Sequence, residues 1–143
     1  MTVAKTGWGG AFKFDNNSGV LTELVEVVSF TLPNGETEKL DATHLKSPNR
    51  RREKISGMID DGELQVVLNY EPGGASDLLI MQAYTEGDAR TYEAHIPRAS
   101  GTDWLVSGEA FVSGVDRGEI IADGIMRCTV TFTLAGSSTE ASA

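Results

Sequence analysis

Lys46, Arg50, Arg51, Arg52 and Lys54 are crowded into the stretch KSPNRRREK, and Asp60, Asp61 and Glu63 follow almost at once. Guanidinium groups gathered this densely can neutralise phosphates, or they can pair with carboxylates in bidentate fashion. The chain carries 21 acidic residues against 12 basic ones, a net charge of −9. Its surface as a whole therefore repels nucleic acid. No aromatic residue interleaves with the arginines to stack on bases. Carboxylate pairing is the chemistry left to them, either with acids on another molecule or with the stretch's own acids in a solvated loop.

Nothing else in the sequence assembles a catalyst. The two histidines, His44 and His95, stand far from any serine, cysteine and acid in a triad order, and His95 sits beside Glu93 on the polar parity of its segment. Asp60, Asp61 and Gly62 precede an alternating segment as an ordinary turn would, without the ligand spacing of a calcium loop. The pairs Gly9–Gly10 and Gly73–Gly74 do not join a strand to a helix as a phosphate-binding loop does. Cys128 is the single cysteine, which excludes an internal disulfide and suits a small buried hydrophobe. The sequence predicts no enzyme, no cofactor and no metal.

The elements that must carry the charged stretch are strands. In IMRCTVTFTL, Met126, Cys128, Val130, Phe132 and Leu134 share one face, and Arg127, Thr129, Thr131 and Thr133 share the other. Leu64, Val66, Leu68 and Tyr70 alternate in the same way, as do Tyr92, Ala94 and Ile96. Between Leu21 and Leu32 the apolar parity changes, with Leu21, Val25 and Val27 in one phase and Val28, Phe30 and Leu32 in the other, which predicts a bulge or break near Val27. Pro33, Asn34 and Gly35 predict a hairpin turn into ETEKLDAT. Gly108 and Gly114 within WLVSGEAFVSGV suggest bulges or close backbone approach. One segment has helical spacing instead: Leu79, Ile80, Ala83 and Tyr84, with Ser76 able to cap the start and Gly87 the end.

A chain of 143 residues is about one domain. It lacks an apolar run long enough to span a bilayer, and its first residues have no signal-peptide core. The expectation is an all-β domain with one short helix at about 76–86, made soluble in the cytosol. The organisation expected is an N-terminal arm at 1–19, a β domain at 20–136 with a long loop at 43–62, and a disordered tail at 137–143.

In order and spacing, LDATHLKSP, EKISGMIDDGE, LQVVLNYEPG, the single helix, GDARTYEAHIP and the closing TFTLAG resemble the major tail tube proteins of phages with long non-contractile tails. The resemblance implies a β-sandwich or half-barrel that completes a β-barrel on hexamerisation. The rings would stack head to tail into the conduit through which viral DNA leaves the virion without specific binding, with no membrane contact. It also implies assembly in the host cytoplasm, and tape measure and tail terminator proteins as partners. Lys46, Arg50, Arg51, Arg52, Lys54, Asp60 and Asp61 would form the ring-stacking loop. Glu36, Glu38 and Asp41, followed by Glu109 and Asp116, are the acids expected to line the lumen. Two alternatives remain open: a tube protein of a contractile tail or type VI secretion system, and a monomeric β-sandwich binding module using Trp8 or Trp104.

Overall fold

A computed structural model describes residues 6–99 and 101–143. Alternating apolar side chains produce strands: β1 (Ala11–Asp15), β2 (Leu21–Glu23), β3 (Val27–Phe30), β4 (Glu36–Asp41), β5 (Lys54–Asp60), β6 (Glu63–Asn69), β7 (Arg90–Ile96), β8 (Trp104–Asp116), β9 (Arg127–Leu134) and β10 (Thr139–Ser142). Among the described residues the one α-helix, α1, spans Ala75–Glu86. The main sheet runs β2-β1-β7-β8-β9-β6-β3, all antiparallel, with β10 on β8. The strands β4 and β5 form a separate two-stranded sheet.

Period-two burial is clearest where it was expected. Cys128, Val130 and Phe132 of β9, Leu64, Val66 and Leu68 of β6, and Tyr92 and Ala94 of β7 are all buried. Phe132 meets Phe12 at 5.3 Å and Phe14 at 4.9 Å between ring centroids. Two strands separate β1 from β9 in the sheet order, so those contacts require the sheet to curl back and face itself. This curl makes the sandwich-like core. Helix α1 covers it from β8, burying Leu79, Ile80 and Ala83.

Several expectations are corrected. Residues 11–15 are not part of an arm: Phe12 and Phe14 are fully buried, and β1 pairs with β2 and β7. Residues 139–142 are not disordered but form β10 against Trp104–Ser107. Ser76 does not cap α1; Gly74 holds that position, and the Ser76 hydroxyl accepts the Val25 N–H at 2.9 Å. Tyr84 is exposed, not part of the buried stripe. The phase change falls at Glu26, whose φ is 56°, with a register shift between Val27 and Ser29. It buries Leu24 and leaves Val25 exposed. The Gly108 and Gly114 expectations both correspond to features found. A side chain at Gly108 would meet Ser137 and Tyr92, and the β8–β9 register shifts between Val112 and Gly114.

The largest correction concerns the Pro33–Gly35 hairpin. Strand β3 pairs with β6, while β4 turns to pair with β5. Residues 43–62 are therefore not one long loop, because β5 occupies Lys54–Asp60. The crossing between the two sheets is tight: Gly62 has φ +79°, and a Cβ there would lie 2.3 Å from the Asn34 carbonyl oxygen. Gly62→Ala is expected to destabilise the fold by about 1–3 kcal/mol, read from a lowered denaturant midpoint. An unchanged midpoint would contradict this crossing geometry.

Candidate functional site

Strands β4 and β5 expose nearly every residue, with Gly57 alone partly covered. Their ladder runs from Glu36↔Asp60 at the base to Asp41↔Lys54 at the far end, with a shift between Thr37 and Lys39. Beyond it lies a tip closed by the Ala42 N–H on the Glu53 carbonyl at 2.8 Å. A single 3-10 turn, Pro48–Arg50, holds Asn49 and Arg50 at φ 54° and 56°.

The tip carries its own polar network. Ser47 donates to Glu53 at 3.0 Å and accepts the His44 N–H at 2.9 Å, while His44 Nε2 lies 3.3 Å from Glu53. Because the Ser47 hydroxyl is directed at the Glu53 carboxylate and His44 Nδ1 accepts the Lys46 N–H, the imidazole is not placed to take the serine proton as in a serine–histidine pair. Among the described residues the charged neighbour of His95 is Glu93, at 3.8 Å. Burial pushes the Cys128 thiol up, away from reactive thiolate.

Arg52 pairs with Asp41 at 3.2 Å. The side chains of Lys46, Arg50, Arg51 and Lys54 make no ion pair among the described residues. Asp60 and Asp61 are not brought to the arginines, for they lie at the hairpin base, the length of β5 away. Glu36, Glu38, Asp60 and Asp61 lie toward the base, while at the tip Lys46, Arg50, Arg51, Arg52 and Lys54 outnumber Asp41 and Glu53. The five acids expected along a lumen are not gathered either. Glu36, Glu38 and Asp41 lie on β4, Glu109 is exposed midway along β8, and Asp116 ends β8.

Sequence reasoning missed the hairpin's apolar content. Leu45 is fully exposed, Met58 81% and Ile59 69% exposed, and Ile55 is also open. The signal was there in KISGMID, whose apolar residues fail to alternate. An exposed apolar, two-stranded ribbon is marginal alone and suited to a partner.

Hydrogen bonds from Thr43, then the Arg52 guanidinium, hold Asp41 below the usual carboxylate range. A depressed folded pKa contributes order that is present above the unfolded pKa, about 3.9, and is lost as pH falls through the folded value. Acidification below about pH 4 is therefore expected to speed amide exchange at residues 42–53 before the β9 core responds. Simultaneous loss of both would contradict the assignment.

Residues 6–141 match the family model described as Lambda phage tail tube protein. The chain belongs to that family. It is a structural tail tube protein, not an enzyme. Its fold is similar to that of a subunit in the virion of a native gene transfer agent particle (TM-score 0.75, 17% identity, 97% of this chain and 100% of that one). A chain of the SPP1 tail tube is similar with TM-score 0.68 and 13% identity, over 96% and 79% of the two chains. A chain of the anti-feeding prophage baseplate reaches TM-score 0.77 at 9% identity, over 99% and 98%. No curated protein sequence matches. Among the tail tube protein's described residues no helix is long and apolar enough to cross a membrane. Its Trp104 is partly buried beneath the Arg98 guanidinium, 5.3 Å from the ring centroid. That covering leaves Trp8 without a second open tryptophan for a ligand platform.

Proposed function

We propose that this tail tube protein forms hexameric rings, stacked head to tail into the conduit for viral DNA, with the β4–β5 hairpin as the stacking element. The observation that carries this reading is a two-stranded hairpin separate from the main sheet, whose tip presents Lys46, Arg50, Arg51 and Lys54 without an ion pair among the described residues, together with exposed apolar side chains. Lys46, Arg50, Arg51 and Lys54 then meet carboxylates on the next ring, and the apolar residues gain the burial that the monomer does not provide. The edge strands β2 and β3 are free to pair with neighbouring subunits and complete a barrel. Glu36, Glu38, Asp41, Glu109 and Asp116 are the acids from which a phosphate-repelling lumen is drawn, and DNA passes it without specific binding. Assembly takes place in the host cytoplasm, with tape measure and tail terminator proteins as further tail partners.

Electron microscopy of purified protein at high concentration is expected to show rings or tubes. Isolated particles at every concentration would overturn the proposal. Amide exchange at residues 43–62 is expected to slow in tubes relative to monomer, since contacts from a neighbour offset an ordering cost of about 1–2 kcal/mol per residue. Equal protection in both states would remove the hairpin from the interface.

A further inference from the structure

We propose that the hairpin tip of one copy docks into an acidic, isoleucine-lined groove at the opposite end of the sheet of the next copy. This rests on the stacking role proposed above and names the surface that receives the hairpin.

Topology separates the two surfaces. Strand β6 begins at Glu63, beside the hairpin base, and pairs along its whole length with β9 until Asn69 meets Arg127. The connection from β8 to β9, residues 117–126, therefore lies a seven-residue strand away from the hairpin base, roughly 20 Å at ~3.3 Å per residue. It is tied to that end by the Tyr70 N–H on the Met126 carbonyl at 2.9 Å. Between it and the β6–α1 turn lies an open concavity of about 530 Å³, lined by Glu26, Glu71, Pro72, Ile121 and Ile125 among others.

Chemistry matches the groove to the tip. Glu26, Glu71, Asp116, Glu119 and Asp123 outnumber Arg117 and Arg127 at this end of the sheet. Arg117 is itself engaged over the Tyr70 ring at 5.8 Å. Ile120, Ile121 and Ile125 stand 65%, 44% and 71% exposed. At the other end the tip offers Arg50, Arg51 and Lys46 without an ion pair among the described residues, together with the fully exposed Leu45. Cations meet carboxylates around an apolar centre, the arrangement in which charge sets register and burial supplies affinity. Because tip and groove are different surfaces at opposite ends, their union is heterologous. One copy binds the next without closing into a dimer, and the contact propagates.

The test uses three full-length variants, each checked for an unchanged melting temperature: Arg50→Glu with Arg51→Glu, Glu71→Lys with Glu119→Lys and Asp123→Lys, and all five together. Each reversed surface alone is expected to raise the concentration needed for tubes by about tenfold or more, and the combined charge swap is expected to restore assembly. If the arginine variant loses tubes while the groove variant polymerises normally, the groove assignment is overturned and the hairpin keeps its stacking role. Normal tubes from both single-surface variants would overturn the stacking role too. Failure of the combined variant would overturn direct pairing. Should a charge variant melt early, Leu45→Cys with Ile125→Cys replaces it: an intermolecular disulfide on assembly is expected, and its absence overturns the contact.

Discussion

Tubes are expected to disappear when Arg50, Arg51 and Arg52 are all replaced by glutamate, while circular dichroism and melting temperature stay close to wild type. The monomer tolerates the change because the three arginines are exposed, and among the described residues the only ion pair lost is the exposed one between Arg52 and Asp41. Exposed pairs contribute about 0–1 kcal/mol each. In the proposed stack, assembly would multiply that small term, since every subunit of every ring repeats it, and reversal would turn each attraction into repulsion. High salt is expected to weaken wild-type tubes in the same direction, because screening shortens the reach of the tip's charges. Normal polymerisation of the triple variant at low salt would exclude electrostatic stacking through this tip.

Phe132→Ala is expected to act on the opposite part of the molecule and to cost about 3–5 kcal/mol in folding free energy. Phe132 is 0% exposed and touches Phe12 and Phe14, so its removal opens a hole where the two halves of the curled sheet meet. Out of a total stability of about 5–15 kcal/mol, that loss shifts the denaturation midpoint sharply and removes tubes only because monomer is lost. Phe132→Leu, which keeps most of the volume, is expected to cost clearly less. A loss under about 1 kcal/mol for the alanine variant would mean that the aromatic cluster is not the keystone of the core.

Strands with one face in the core were legible because burial writes period two into the sequence: Cys128, Val130 and Phe132 could not belong to a helix stripe. The segment AFKFD carries the same alternation in β1 but is only five residues long, too short to stand out beside its glycine-rich approach. The polar β10 has no apolar face at all, and its pairing is dictated by the β8 backbone. Strands β4 and β5 are exposed on both faces, so no parity marks them. The turn at Pro33–Gly35 could be read locally, but the partner of each strand could not: β3 pairs with β6, beyond the whole hairpin. At the candidate site the arginine cluster was visible as charge. Its separation from Asp60 and Asp61 depended on β5, and the pairing of Arg52 with Asp41, which leaves Arg50 and Arg51 without an ion pair among the described residues, depended on the shape of the tip.

The hairpin's pairing only with itself has a mechanical consequence. In a tube stacked through the hairpin as proposed, axial load would pass from one subunit body to the next ring through residues 32–35 and 61–62, the two backbone crossings at the hairpin base, since Thr31 is still bonded to Gln65 of β6. Bending a tube lengthens one side and shortens the other. That strain can be taken up by small rotations at these crossings, leaving the aromatic core of each body unstrained. On that proposal, stiffness of the conduit and stability of its subunits would be set by different residues, and a long tube would flex without any of its parts unfolding.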